Sequence, residues 1–488
     1  MKIKKEKDIQ QGLINVIKDG VASQIMATLT GGVFLVAFAL QLGASNMTIG
    51  LLAAISPLTQ FIQIPSVYLI QKIGKRKITC IYATAAGRFF LLLIALLPFI
   101  PSTQSKINLL VTALFLHSLL GAVGGASWNS WMRDLIPQEK MGSFFARRMM
   151  LATAGGMIVS FAAGAYIDIW KKLLPDYQIA GYSILFMAGF GAGILGIHFI
   201  RGIPEPGKRE GEERGFLKTL FQPLKDLNFR NLIVFSTIWS FALNMAAPFF
   251  TVYMVKRLEL GVSLIVVLGA LSQIISLMFL NIWGKISDRF SNKSILQICV
   301  PAFLVCTLAW TFTTLPEKHF FTLPLLVIIH IFMGISVAGI NLASGNIGLK
   351  LSPKGQATSY LAVRNVTTSI TASIAPILGG KLIDFFANRQ LSLILRWAGP
   401  QEEFTFYTLH FQYWDFFFFF AFLIGIYSLN WLNKVKEAGE VKEKIVLSHL
   451  LAETRGVLRN LSTIGGLRQL FQLSFLTFHL GAENDKEK

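Results

Sequence analysis

Long apolar runs alternate with short polar stretches along the whole of this chain. Twelve of these runs have about the 20 residues that a helix needs to cross a hydrocarbon core roughly 30 Å thick. They are too long and too uniformly apolar for barrel strands, so each run predicts a helix that satisfies its own backbone hydrogen bonds. The predicted spans are 20–42, 48–70, 78–100, 107–131, 144–168, 179–200, 230–255, 262–283, 294–315, 321–346, 358–385 and 414–433. The predicted fold class is an all-α integral membrane protein with twelve transmembrane helices.

The polar stretches between the runs differ in charge on the two sides of the predicted membrane. Most of the 45 lysines and arginines lie at the two ends of the chain and in every second connection. Because cytoplasmic loops carry an excess of basic residues, both termini are predicted to lie in the cytoplasm. We therefore expect a multi-pass protein of the cell (inner) membrane. The basic start shows no cleavage site, so we expect the first run to remain in the mature protein.

Composition supports the membrane class and excludes several others. The chain has 488 residues, of which 53% are hydrophobic and 15% charged, too apolar a balance for a soluble domain. A net charge of +19 would suggest nucleic-acid binding in a soluble protein. Here the charge follows the predicted topology, so the expected partner is the lipid bilayer and not nucleic acid. No metal-ligand spacing, nucleophile elbow or phosphate loop occurs, so we expect no cofactor, no metal and no enzyme activity.

A charged segment, GKISDRFSNK, separates the two apolar runs 262–283 and 294–315. Its Gly-x-x-x-Asp-Arg spacing, from Gly284 to Asp288 and Arg289, resembles the loop signature of the major facilitator superfamily, a family of secondary transporters. In that family the signature follows the second helix of a six-helix half. The resemblance implies a role for these three residues in gating.

The corresponding loop of the first half keeps only part of the signature. Gly74 is present, and Lys72 replaces the arginine with another cation. Gln71 stands where the signature has its acid, which is a departure from the family pattern. We retain Gly74 and Lys72 as gating candidates.

An internal repeat supports the division into two halves. When 135–168 is aligned with 351–384 without gaps, Arg148 matches Arg364 and Asp168 matches Asp384, among other identities. The two arginines stand at the start of the fifth and eleventh helices and are further gating candidates. Such parallel halves are the plan of this family, with the substrate site between them. The predicted units are a six-helix half at 1–200, a cytosolic linker at 201–229, a second half at 230–433 and a cytosolic amphipathic tail at 434–488.

Polar residues near the middle of four apolar runs are candidates for contact with substrate or protons. The family resemblance implies that helices 1, 4, 7 and 10 line a central cavity. The candidates in those helices are His117, His330, Asn244, Gln24, Thr30 and Asn341, and Asp19 stands at the inner mouth of helix 1. Ionisable groups within a membrane are functional candidates by default, whereas Asn and Thr also hold helices together.

The two histidines are the most specific of these candidates. Each stands four residues before a glycine, in HSLLG and HIFMG, at matching places in the two halves. In the fourth helix of the family an arginine often precedes the glycine at this spacing, so the histidine weakens any mechanism borrowed from arginine-bearing antiporters. Imidazole titrates near pH 6.5, so a histidine pair could carry protons. The alternative is that each ring bonds a neighbouring carbonyl or serine and only packs.

Three further features complete the sequence-based predictions. Arg88, inside the third run, is expected to act structurally by pairing with an acid of the inner loops. Residues 387–413 alternate polar and apolar positions around a Gly-Pro turn and predict a small external hairpin. Residues 441–480 carry a helical apolar stripe, which predicts an amphipathic helix at the inner membrane surface.

The function that these observations favour is secondary active transport of a small solute by alternating access. We expect a monomer, proton coupling, and export in preference to uptake. One alternative is an uncoupled facilitator or an importer of a sugar or metabolite. Another is a receptor or scaffold that has the same fold but does not transport.

Overall fold

A computed structural model describes residues 2–63, 65–66, 75–136, 138–205, 222–314, 318–353, 357–398, 403–441 and 443–461. The first half begins with one long membrane crossing, made of α1 (Lys2–Thr30) and α2 (Gly32–Gln41). The helix is interrupted between α1 and α2 because Gly32 has a φ of +51°, which glycine adopts without steric cost. The rest of this half consists of α3 (Asn46–Thr59), α4 (Arg76–Leu96), α5 (Thr103–Leu135), α6 (Gln138–Leu173) and α7 (Gln178–Arg201).

The second half repeats this helical plan and adds a hairpin and a tail. One helical turn, Gln222–Lys225, precedes it. Its helices are α8 (Leu227–Lys256), α9 (Val262–Arg289), α10 (Asn292–Ala309), α11 (Thr322–Leu351), α12 (Ala357–Phe386) and α13 (Trp414–Lys434), followed by the tail helix α14 (Glu443–Leu461). Strands β1 (Gln390–Ala398) and β2 (Glu403–Gln412) lie between α12 and α13.

Short polar side chains define where several helices begin. Ser45 accepts a hydrogen bond from the backbone N of Thr48 at 3.1 Å, and Ser291 accepts one from the N of Ser294 at 3.1 Å. Asp226 accepts bonds from two backbone N–H groups in the first turn of α8. These caps satisfy N–H groups that have no partner within their own helix, so each polar connection between apolar runs also starts the next crossing.

The membrane class predicted from the sequence is confirmed. Among the described residues, eleven helical segments are long and apolar enough to cross a membrane. The second predicted run, 48–70, is represented by the shorter apolar helix Asn46–Ile62, after which residues 64 and 67–74 lie outside the described part. The count of twelve crossings therefore stays a prediction, and so does the division into four units.

Helix α1 differs from the prediction at its start. The apolar span extends over Ile9–Gln41, whereas the predicted run began at residue 20. Asp19 therefore lies inside the helix and is 3% exposed. The predicted run began after this acid because the hydropathy of one helix contains no information about the cations that other helices bring to it.

The hairpin and the tail helix are confirmed as elements. Strands β1 and β2 pair antiparallel, with Gln390 opposite Gln412 and a register shift between Leu393 and Ile394. Helix α14 packs on α9 and α10, and Lys285 Nζ of α9 lies 3.0 Å from Glu453 Oε2. The remainder of the predicted amphipathic segment, 462–480, lies outside the described residues.

The two halves contact each other through two equivalent helix pairs. Helix α3 packs along α12, and α6 packs along α9. At the α3–α12 contact, a Cβ on Gly50 would overlap the carbonyl oxygen of Pro376, and one on Gly380 would overlap that of Asn46. Glycine thus brings the two backbones together. Asn46 begins α3 and Gly380 lies near the end of α12, so this contact is at the predicted outer face.

Candidate functional site

A cavity of about 230 Å³ opens among α1, α4, α5, α6 and α7 of the first half. Its walls are largely small or apolar, and include Met26, Cys80 and Ile200. Three charged side chains and a histidine stand out among the residues that line it, namely Asp19, Arg88, Arg148 and His117. A chemically distinct site thus lies inside one half of the protein.

Asp19 lies between two arginines at this cavity. Its Oδ1 lies 3.9 Å from Arg88 Nη2, and its Oδ2 lies 3.6 Å from Arg148 Nη2. Ser23, one turn further along α1, donates a hydrogen bond to Asp19 Oδ1 at 3.0 Å. A buried carboxylate needs such partners because desolvating an unpaired charge is expensive.

Arg88 is held on several sides. It donates to the carbonyl of Gly193 in α7, and its Nη2 donates to Ser23 Oγ at 2.9 Å. A Cβ on Gly196 would lie 2.7 Å from Arg88 Nη1 and 3.1 Å from Asp19 Oδ1. The glycines of α7 therefore make room for the guanidinium. The prediction that Arg88 pairs with an acid of the inner loops is replaced by a pair inside the helices.

Arg148 enters the same site from the start of α6. Its Nε donates to the carbonyl of Val16 at 3.2 Å, and its guanidinium carbon lies 4.8 Å from the centroid of the Trp128 ring. The indole Nε1 of Trp128 is buried and has no hydrogen-bond partner among the described residues. Arg148 and Trp128 thus present donors to a cavity that both of them line.

The two histidines have different surroundings. His117 Nδ1 lies 2.9 Å from the carbonyl oxygen of Gly87, which only accepts, so Nδ1 carries the proton. Nε2 of His117 has no recorded partner in the described part of the chain. His330 Nδ1 donates to the carbonyl of Leu326 at 2.8 Å, and its ring centroid lies 5.7 Å from that of Trp310. His330 does not line the cavity around Asp19, so the two rings do not share it.

The other substrate candidates lie apart from this cavity. Thr30 donates to the carbonyl of Met26 at 2.8 Å, and Asn244 Nδ2 donates to that of Ser240 at 2.8 Å, so both bond within their own helices. Gln24 and Asn341 are exposed. None of these four is among the lining residues, and their predicted contact with substrate stays a prediction.

Two aspartates join the halves at the predicted outer face. Asp168, near the end of α6, accepts hydrogen bonds from the backbone N of Val262 and of Ser263, both at 3.0 Å, in the first turn of α9. Asp384, near the end of α12, accepts one from the N of Met47 at 3.0 Å and one from Asn46 Nδ2 at 2.7 Å, in the first turn of α3. Each aspartate therefore binds the N-terminus of a helix in the other half, where unpaired N–H groups attract an anion.

The predicted gating arginines stay within their own halves. Arg148 binds α1, as described above. Arg364, its match in the repeat, donates from Nε to Ser236 Oγ at 2.9 Å and from Nη1 to the carbonyl of Ser344 at 2.6 Å. Arg364 thus binds α8 and α11, which belong to the second half.

The loop candidates are described only in part. Arg289 is exposed, with its guanidinium 5.5 Å from the Phe290 ring, and a Cβ on Gly284 would meet nothing within 4 Å. The side chain of Asp288, and all of Lys72 and Gly74, lie outside the described residues. Their predicted gating roles stay predictions.

Sequence reasoning named four residues of the cavity separately, Asp19, Arg88, His117 and Arg148, but did not bring them together. Asp19 was placed at a mouth, and Trp128 was not considered. The repeat had already aligned Asp168 with Asp384. An acid kept at both outer helix ends is the signal that could have identified these contacts between halves.

Comparison with known proteins agrees with this architecture. The mutant nucleoside transporter NupG has a TM-score of 0.65 and 12% identity, covering 87% of this chain and 100% of that one. A bacterial homologue of the iron transporter ferroportin, in an inward-facing state, has a TM-score of 0.61 and 14% identity, covering 88% and 98%. At these identities the likeness concerns the fold alone.

Sequence comparison adds the family. The uncharacterised MFS-type transporter YxiO of Bacillus subtilis (strain 168) is 24% identical over 295 residues, which is 58% of this chain and 66% of YxiO, just under two thirds. An MFS-type transporter of Aspergillus terreus is 28% identical over 122 residues, which is 25% of this chain and 21% of that protein. The family model described as the Major Facilitator Superfamily matches residues 20–376. This chain, with its multi-pass helical fold, therefore belongs to the Major Facilitator Superfamily.

Proposed function

We propose that this protein is a secondary active transporter that moves a small solute across the membrane by alternating access. The observation that carries the proposal is the contrast between the two ends of helices α6 and α12. At their outer ends Asp168 and Asp384 bind the opposite half, while at their inner ends Arg148 and Arg364 bind their own half. This pattern supports a state that is closed outside and open inside.

The charged cavity supports coupling to protons. Asp19 and His117 are titratable groups that line one cavity, within the membrane-spanning part of the first half. A carboxylate between two guanidinium groups changes the local charge when it binds a proton. Protonation of Asp19 would therefore change the net charge of the cavity that the solute enters. We propose protons as the coupling ion, and export as the direction, on the largely apolar character of the cavity walls.

Two alternatives remain testable beside this proposal. An uncoupled facilitator or importer would use the same change of state without a proton. A receptor or scaffold would have the same fold and bind a solute without moving it. The structural neighbours include a nucleoside transporter and a bacterial metal transporter, so they do not select a substrate class.

Proteoliposomes separate the three functions. The purified full chain would be reconstituted with a pH-sensitive dye inside, and a panel of solutes would be added with and without an imposed pH gradient. Solute flux accompanied by a change in internal pH is expected. Flux without a pH change would favour the facilitator, and binding without any flux would favour the receptor.

A further inference from the structure

The cavity around Asp19 contains more positive than negative charge. Arg88 and Arg148 both line it, and the recorded acid partner of either guanidinium is the same residue, Asp19. The other bonds of Arg88 and Arg148 go to neutral oxygens of Gly193, Ser23 and Val16. One carboxylate therefore serves two cations among the described residues.

An uncompensated cation is expensive in this place. All the elements around the cavity are membrane-spanning helices, where a cation without an anionic partner is costly. The Arg148 side chain, at the start of α6, is 24% exposed and is the more open of the two arginines. Arg88 is 6% exposed and Asp19 3% exposed. A second anion in the cavity would balance the charge at low energetic cost, because the donors are already arranged.

The neighbouring groups fit an anion with an apolar body. Trp128 contributes a buried indole N–H that has no hydrogen-bond partner among the described residues, and an unpaired buried donor is itself costly. Its ring also lies under Arg148. The cavity wall is apolar at Met26, Cys80 and Ile200, and the cavity volume of about 230 Å³ suits a small molecule.

We propose that this cavity binds a small organic anion, with its carboxylate between Arg148 and the Nε1–H of Trp128, in competition with the carboxylate of Asp19. The proposal rests on the proposed transport function and specifies its substrate class. Arg88 supplies background positive charge, since its own bonds hold it against α7 and Ser23.

Competition with Asp19 makes binding depend on pH. The titratable and charged groups that face the cavity are Asp19 from α1, Cys80 and Arg88 from α4, His117 from α5 and Arg148 from α6, and α7 lines it with Ile200. A proton on Asp19 removes the competing negative charge and frees Arg148. Binding of the anion should therefore tighten as pH falls.

Calorimetric titration of the full chain in phosphatidylcholine nanodiscs tests the proposal. The probes are benzoate, its neutral analogue benzamide, and chloride. Benzoate is expected to bind, and the other two to bind at least tenfold more weakly. Arg148→Gln should weaken benzoate by roughly tenfold or more, the loss expected for a hydrogen bond between charged groups. Lys18→Gln is the matched control. This substitution also removes a cation from α1, but Lys18 lies over the Phe199 ring and does not line the cavity.

Two milder variants keep the test informative if Arg148→Gln fails to fold. Trp128→Phe retains the ring, removes the N–H donor, and should weaken benzoate several-fold. Asp19→Asn should retain benzoate binding and lose its pH dependence. If the pH dependence persists in Asp19→Asn and disappears in His117→Gln, the competition is overturned.

Other results would overturn the anion site altogether. One such result is that benzoate does not bind the wild-type chain. Another is that benzamide binds as tightly as benzoate, and a third is that Arg148→Gln and Lys18→Gln weaken benzoate binding equally. Nanodiscs that contain phosphatidylglycerol distinguish a lipid headgroup from a soluble anion, since loss of benzoate binding there would assign the site to lipid. Labelling of an introduced cysteine from outside needs no ligand, so it tests alternating access whether or not benzoate binds.

Discussion

Asp168 and Asp384 occupy equivalent positions in the two halves, and each binds the first turn of a helix that belongs to the other half. The repeat thus places one acid at each of two outer helix ends. Each carboxylate meets backbone N–H groups that have no partner within their own helix, so the contact is made with little rearrangement. We call these two contacts the outer latches.

Removing both outer latches should shift the protein toward an outward-open state. In Asp168→Ala/Asp384→Ala, each lost set of hydrogen bonds costs the closed state about 1 kcal/mol. That changes the ratio of the two states by roughly fivefold for each latch and by about 25-fold for the double variant. The readout is labelling of Gln24→Cys by a membrane-impermeant maleimide from outside, in a chain whose three native cysteines are replaced by serine. Labelling should become faster in the double variant.

Asp176→Ala is the control for that experiment. It removes an acid that is exposed on the same predicted face and makes none of the recorded contacts between halves. Equal labelling rates in the latch variant and the parent would show that the aspartates do not hold the outer face closed.

A methyl group on Gly50 should also disfavour outer closure. The Cβ would overlap the Pro376 carbonyl oxygen, and because this atom belongs to the backbone of α12 it cannot move away alone. Gly50→Ala should therefore increase external labelling of Gln24→Cys and reduce transport. Gly191→Ala is the matched control, since a Cβ there meets nothing within 4 Å and Gly191 is not among the residues that line the charged cavity. Similar behaviour of the two variants would argue against close packing of α3 on α12 as a gate.

Asp288→Asn tests the loop signature. From the family resemblance, Asp288 and Arg289 are expected to pair with neighbouring helix ends when the inner face closes. Such pairs bias conformation and contribute little net stability. The variant should transport less while its level in the membrane and its melting temperature stay unchanged. Full transport would show that the loop acts only in topology.

The histidine hypothesis predicts a loss of response to an imposed pH gradient. His117→Gln should reduce gradient-driven transport, because His117 lines the cavity beside Asp19 and an imidazole can bind and release a proton. His330→Gln is expected to have a smaller effect, since His330 packs against Trp310 instead. Wild-type gradient dependence in both variants would mean that the two rings only pack.

Topology is tested by access to the ends and the hairpin. Tags at both termini should be reached only from the cytoplasm, since the basic residues concentrate there. A cysteine placed between 387 and 410, around the β1–β2 hairpin, should be labelled from outside. External reactivity of one terminus alone would contradict an even number of crossings, and external reactivity of both would contradict the predicted orientation.

The sequence by itself determined the membrane class, most helix positions, the hairpin and the internal repeat. Each of these depends on a local property, such as the length of an apolar run, its alternation with polar residues, or the spacing of a motif. The family resemblance also came from a local motif, Gly284 to Arg289, and the family match across residues 20–376 agrees with it.

Only the tertiary structure decided which charges meet. Asp19, Arg88 and Arg148 come from three helices far apart in the chain, and nothing in the polarity of one helix shows which face a neighbour covers. The local motifs of His117 and His330 are alike, and for the same reason only the packing of the helices shows that His117 lines the cavity and His330 does not. The burial of Asp19 depends on cations brought by packing, because a charge inside a membrane is tolerated only with its partners in place.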